Sequence, residues 1–125
     1  QTLAALAVKE GIDSVFISGA VDNPYPYYKA ADIYVHATRF EGKSIAIQEA
    51  QVLGCAIIAS DCSGNREQIN DGVDGILCGF TPAGIADGIE KLITNPALAT
   101  KFRMASAEKQ INHLEELQNI YGMMR

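Results

Sequence analysis

Glu41 and Glu49 stand eight positions apart in the segment EGKSIAIQEA, the first in a Gly-containing polar stretch and the second inside an amphipathic run. The apolar stretch IYVHA, from Ile33 to Ala37, precedes them, and Gly54 closes the run. That order predicts a strand, a short loop bearing one acid, and a helix whose second turn bears another. In an α/β sheet both carboxylates would then lie beyond the carboxyl end of a strand, where such sheets bind ligands. The backbone N–H groups of Lys43, Ser44 and Ile45 would point into the same space, and a helix N-terminus favours an anion such as phosphate. Two glutamates at this spacing are, on their own, more often a cap and a solvated helix face. The surrounding blocks have to decide.

Those blocks alternate. QTLAALAVKEG reads as the end of a helix, with Leu3, Leu6 and Ala7 at helical spacing and Gly11 as its stop. VFISG, from Val15, is a continuous apolar strand of the kind buried on both faces of a parallel sheet. PYPYYKAA is a short Pro-started helix or turn, and IYVHA is the next strand. Ser44 to Leu53 forms a helix, with Ile45, Ile47, Ala50 and Val52 or Leu53 available for packing. AIIAS, from Ala56 to Ser60, is a strand, GNREQI a short helix, and GILC a strand introduced by the Asp71-Gly72 and Asp74-Gly75 turns. Thr81 to Thr94 reads as a capped helix with Pro82 in its first turn. Pro96 ends it, and Ala97 to Tyr121 supplies one or two further helices. The alternation predicts an α/β domain with a Rossmann-like, open, mostly parallel sheet and helices on both faces.

The 125 residues allow one domain at most. An apolar content of 48% and a charged content of 20% describe a globular chain. The net charge of −5 argues against nucleic acid as a partner, because neutralising phosphates needs a surplus of Lys and Arg. It also argues against this segment lying on an anionic membrane. Cys55, Cys62 and Cys78 are odd in number and lack CxxC spacing, so they read as reduced, mostly buried thiols in a cytoplasmic protein. His36 and His113 stand apart from any cluster of ligands, and no metal site is expected.

Together, VFISGAVDN, YYKAADIYVHATRFEG, the paired acids and GCAIIASDCSGNREQINDGVDGILC resemble the donor-binding domain of retaining glycosyltransferases of the GT-B fold, family 4. The resemblance covers Val15 to Lys101, and the NREQI wording is similar to the capsule and cell-surface polysaccharide branch. It implies that Glu49 accepts hydrogen bonds from the two ribose hydroxyls of a nucleotide, which a carboxylate with two oxygens can do at once. Glu41 matches the first acid of the motif and would lie beside the donor sugar as the catalytic residue. A covalent nucleophile is one reading of a paired carboxylate, and positioning with electrostatic stabilisation is the preferred one. Gly42, Lys43, Ser44 and Ile45 resemble the loop whose amides meet sugar hydroxyls and phosphate. Lys43 and Ser44 depart from the family's commoner wording there, so Lys43 is either a phosphate contact or an exposed cation. Arg39 faces the diphosphate or pairs with Glu41. Gly64, Asn65, Arg66 and Glu67 would turn toward the donor cleft, with capping by Ser63 or Asn65 as the alternative. Tyr25, Tyr27, Tyr28 and Tyr34 are better explained by packing than by base stacking, and Asp32 is structural.

The resemblance further implies a sugar transferred with retention from a nucleotide-sugar donor to a saccharide or lipid-linked acceptor, without cofactor or metal. Residues 1–125 would then be a single donor-binding domain, a C-terminal fragment whose acceptor domain lies elsewhere and which is inactive alone. Any contact with the inner face of the membrane would come through that other domain. A nucleotide-sugar epimerase of the same architecture and a non-catalytic nucleotide-binding module are the alternatives. A dinucleotide oxidoreductase is disfavoured, because no GxGxxG follows a strand.

Overall fold

The computed structural model describes residues 5, 9–11, 14–15, 22–38 and 44–123, with side chains of the last helix given through residue 110 and at 112. Ala5 and Lys9 are helical, and Gly11, at φ +68°, sits in the turn that follows. Most of the strand expected from Val15 lies outside the described residues. Helix α1 (Tyr25–Ala30) starts from Pro24, whose carbonyl accepts from the N–H groups of Tyr27 and Tyr28 at 3.0 and 3.2 Å. Ala31 is extended and leads into strand β1 (Ile33–His36). Helix α2 (Ile45–Val52) comes next and ends at Leu53. Gly54 then takes φ +80°, a left-handed conformation suited to glycine, and the chain enters β2 (Ala56–Ser60).

Helix α3 (Ser63–Gln68), strand β3 (Ile76–Cys78), helix α4 (Pro82–Ile93) and helix α5 (Pro96–Met123) complete the described chain. The three strands form a parallel sheet in the order β1-β2-β3. Ile33 is opposite Ala56 and His36 opposite Ala59, while Ile58 is opposite Ile76 and Ser60 opposite Cys78. Every residue of β2 is buried. Successive side chains of a strand point to opposite faces, and β2 divides two cores accordingly. Ala56 and Ile58 pack with Ile76, Leu92, Ala99 and Phe102 under α4 and α5. Ile57 and Ala59 pack with Ile47, Ala50, Cys55 and Ile69 on the α2 side. The α/β architecture with helices on both faces is therefore the observed one. Cys55 and Cys78 are buried free thiols and Cys62 is half-buried. Burial pushes the Cys55 and Cys78 thiols above their ordinary pKa.

One expectation needs correction. Ile45, read as a packing residue, is 72% exposed, and of the alternatives Val52 and Leu53 it is Leu53 that is half-buried, Val52 being 61% exposed. At about 100° per residue, positions seven apart share a face, and that face is opposite the stripe of Ile47, Ala50 and Gln51. The inward stripe won because it carries the residues facing β2, and it brings in a polar side chain, Gln51, that hydrophobicity alone did not select. The residues after Pro96 form one continuous helix, with Pro96 at its start, where its missing N–H costs nothing. Thr81 caps α4 as expected, its hydroxyl accepting from the Gly84 N–H at 2.9 Å.

Close approach is built in at Gly75, where a Cβ would lie 2.9 Å from both the Ile57 carbonyl oxygen and Ile69 Cγ2. Helix α5 is tied to the sheet by Phe102, which is 0% exposed. Replacing Phe102 by Ala should cost about 3–5 kcal/mol of stability. Met104 on the same helix is 68% exposed, and Met104→Ala should stay within about 0.5 kcal/mol of wild type. Equilibrium urea unfolding of the two variants beside wild type measures both.

Candidate functional site

At the carboxyl ends of β1 and β2 the backbone is cross-linked by side chains. The Thr38 N–H donates to Ser60 Oγ at 2.9 Å, and the Ser60 hydroxyl donates back to the Thr38 carbonyl. Asn65 is wholly buried at the start of α3, and its amide donates to the Ser60 carbonyl at 2.8 Å. Among the described residues the buried Asn65 Oδ1 and Thr38 Oγ1 have no hydrogen-bond partner. Arg66 is exposed and paired with Asp61, Nε to Oδ1 at 2.5 Å. That carboxylate raises the pKa of the Arg66 guanidinium, first by the hydrogen bond and then by its charge. The helix is capped by neither Ser63 nor Asn65: Cys62 is the N-cap, without a side-chain bond.

Glu49 sits in the second turn of α2, half-buried, beside the core residue Ala50. It lies near Tyr28: burial first, and then the Glu49 carboxylate, pushes the Tyr28 phenol above its ordinary pKa. Tyr28 meets Tyr34 edge-on at 5.3 Å between ring centroids, and the Tyr34 hydroxyl is 2.9 Å from His36 Nδ1. Packing accounts for these two tyrosines, which border the α2-side core, while Tyr25 and Tyr27 are exposed.

Ser44 is the N-cap of α2, its hydroxyl accepting from the Ile47 N–H at 3.3 Å. Its own N–H donates to Gln68 Oε1 at 2.6 Å, and its carbonyl accepts from Gln68 Nε2 at 2.8 Å. Of the three amides expected to face an anion, the Ser44 amide is thus engaged within the protein. Ile45 holds the first helical position, where an N–H has no carbonyl partner within its own helix. The Gln68 carbonyl in turn accepts from Gln51 Nε2 at 3.1 Å and Lys109 Nζ at 2.7 Å. Lys109 Nζ also lies 2.6 Å from Oδ2 of the buried Asp74, whose Oδ1 accepts from the Asn70 N–H at 2.7 Å. A groove of about 410 Å³ opens beside this network, lined by Ser44, Gln48, Gln51, Gln68, Lys109 and Gln110 among others. Its lining includes neither Glu49 nor Asn65.

The structure therefore joins the start of α2 to the end of α3 through Gln68. It places Ser44, Ile45, Glu49, Asn65 and Arg66 on the elements expected of them. Arg39, Glu41, Gly42 and Lys43 lie outside the described residues. Gln51, Gln68, Asp74 and Lys109 were not singled out from the sequence, because their partners are 17 to 41 positions away or lie within turn wording. Among the described residues, no three of His, Cys, Asp and Glu gather as metal ligands, and no helix is long and apolar enough to cross a membrane.

Residues 1–109 match the family described as glycosyl transferases group 1. The chain belongs to that family. It is 37% identical over 87 residues to an uncharacterized glycosyltransferase of Methanocaldococcus jannaschii, covering 66% of this chain and 22% of that protein. The C-terminal domain of a glycosyl transferase group 1 family protein from Francisella tularensis is 28% identical with a TM-score of 0.70, over 84% of this chain and 56% of that one. The Anabaena HepE protein, solved in complex with UDP, is 20% identical and shares the fold at a TM-score of 0.80, over 98% of this chain and 35% of that one. The chain spans about a fifth of the length of the curated relatives it matches, 22% in the archaeal case.

Within this group 1 domain, the Asp74–Lys109 pair is set for a direct stability test. Lys109→Met leaves the buried Asp74 carboxylate without its cation and should cost about 3 kcal/mol. Adding Asp74→Asn, which removes the orphaned charge, should recover part of that loss. Urea unfolding of both single variants and the double variant gives the coupling between the two side chains.

Proposed function

We propose that the protein containing this chain is a retaining glycosyltransferase of family 4, of the capsule or cell-surface polysaccharide type. It would move a sugar from a nucleotide-sugar donor to a saccharide or lipid-linked acceptor, this chain forming the donor-binding half of a GT-B fold. Family membership supports the reaction class. The observation that carries the site is Glu49, half-buried in the second turn of the helix that follows β1, where the motif puts its second acid. The UDP described with the Anabaena HepE protein, which shares this fold, supports a nucleoside diphosphate as the ligand class.

In this reading the Glu49 carboxylate receives the two ribose hydroxyls, and the Ile45 amide with the α2 dipole meets diphosphate charge. Lys43 and Arg39 add cationic character, and Gly42 permits close backbone approach. Glu41 stands beside the sugar and stabilises the oxocarbenium-like centre as the nucleoside diphosphate departs. Arg66 borders the cleft, and Asn65 stands behind it, its buried Oδ1 without a hydrogen-bond partner among the described residues. The acceptor is held by a part of the protein outside this chain, which also provides any contact with the inner face of the membrane. The protein works in the cytoplasm and needs no cofactor or metal.

Glu49→Ala removes the ribose acceptor. Hydrogen bonds to a charged group are worth about 1.5–3 kcal/mol each, so nucleoside diphosphate affinity should fall about tenfold or more. Glu41→Ala should spare binding of the free nucleotide and depress transfer. Calorimetry with UDP and GDP, run beside transfer kinetics of the full-length protein, separates the two. Equal binding and full activity in both variants would reduce the motif to helix decoration. Excess EDTA should leave the transfer rate nearly unchanged, and a loss restored by manganese would refute the metal-free reading.

A further inference from the structure

The Gln68 side chain is committed at both ends to one residue. Its Oε1 accepts from the Ser44 N–H and its Nε2 donates to the Ser44 carbonyl, at 2.6 and 2.8 Å. This reciprocal pattern fixes the orientation of the amide, since only the oxygen can accept and only the NH2 can donate. Both residues are buried, so breaking the pair would leave the Ser44 N–H without a partner, while its carbonyl keeps only the helical bond from the Gln48 N–H at 3.3 Å. Gln68 is itself braced through its carbonyl by Gln51 and by Lys109, and Lys109 is paired with the buried Asp74. Helix α2 has a second and separate attachment. Ile47 and Ala50, which flank Glu49 two positions before and one after, are fully buried in the α2-side core.

We infer that Gln68 is a positioning residue for the donor site: it fixes the Ser44 peptide groups at the start of α2, next to the Ile45 amide proposed to meet the diphosphate. Glu49 is held by the hydrophobic core, whereas the entry to the helix is held by the Gln68 amide. The inference rests on the donor-site reading given above for Ile45 and Glu49. It assigns a role in that reading to a residue on α3 and to its brace on α5.

Three measurements on the full-length protein test it: amide exchange at Ser44, titration with UDP and GDP, and turnover of UDP- and GDP-hexoses. Gln68→Met fills the same space without either hydrogen bond. Ser44 exchange should accelerate about tenfold or more as its amide loses protection. Turnover should drop about tenfold and nucleotide affinity should weaken with it, since the Ile45 amide stands at the same helix start, while binding stoichiometry stays complete. Gln68→Glu keeps an acceptor for the Ser44 N–H and loses the donor to its carbonyl, so its turnover should fall between wild type and Gln68→Met. Should Gln68→Met not fold, Gln68→Glu carries the same comparison.

A fall in turnover matched by a fall in binding stoichiometry would mark Gln68 as a folding residue only, and overturn the inference. Unchanged Ser44 exchange, or faster exchange with wild-type turnover, would overturn it as well. Failure of the wild-type protein to bind either nucleotide would instead defeat the donor reading itself, and the inference with it. Binding by wild type therefore tells the two failures apart.

Discussion

Burial of β2 on both faces is the constraint from which the described structure follows. All five of its residues are buried, and each face must be sealed by helices, because a parallel strand in this position has no solvent side. Its composition fits that demand. Ile57 and Ile58 supply apolar bulk to opposite sides, while Ala56, Ala59 and Ser60 leave room for neighbours to approach. The same closeness explains two glycines. Gly75 sits against the Ile57 carbonyl, and a Cβ at Gly88 would lie 3.2 Å from Ile58 Cγ2. A strand sealed this thoroughly leaves its chemistry to its carboxyl end, where Ser60 is the first polar side chain. There the bonds from Ser60 to Thr38 and from Asn65 to Ser60 tie β1, β2 and α3 into one edge.

A polar network on the α2 side complements the two apolar cores. Buried polar groups are tolerated when each finds a partner, and the set Ser44, Gln51, Gln68, Asp74 and Lys109 meets that condition through mutual bonds. Asn65 Oδ1 is an exception among the described residues, and it lies at the edge proposed to face the donor. The division of labour is physical: apolar contacts set where helices sit, while directional bonds set where their ends point.

Much of this was legible in the sequence. AIIAS was bounded correctly because a short apolar run flanked by Gly54 and by the polar Asp61–Gly64 stretch has few other conformations to adopt. Thr81-Pro82 announced a helix start, and it is one. That the chain is a glycosyltransferase domain of α/β fold was likewise readable, since the ordered blocks around the paired acids are more specific than any one of them. The exposure of Ile45 and Val52 was not readable from apolar content; it required their angular position on the helix relative to Ile47. Nor was the role of Gln68. A glutamine on a short helix has no local mark that distinguishes a solvated amide from one bonded to a backbone 24 positions earlier. Side-chain pairs at such distances are created by topology, and single-sequence patterns see only neighbours. For the candidate site, Glu49 was placed on its helix correctly, while the residues before Ser44 lie outside what the structure describes.

The brace on Gln68 has a consequence for the order in which the protein comes into being. Lys109 lies 41 positions after Gln68, so during synthesis the Gln68 carbonyl exists before its cationic partner has been made. At about 5–20 residues per second, the delay across those positions is about 2–8 s. Through that interval Gln51 is the one described side chain already made that can bond the Gln68 carbonyl. Arg103, which donates to the Asp32 carbonyl across 71 positions at 2.8 Å, arrives just ahead of Lys109. The last long helix is thus a late-arriving fastener for the Asp32 and Gln68 carbonyls.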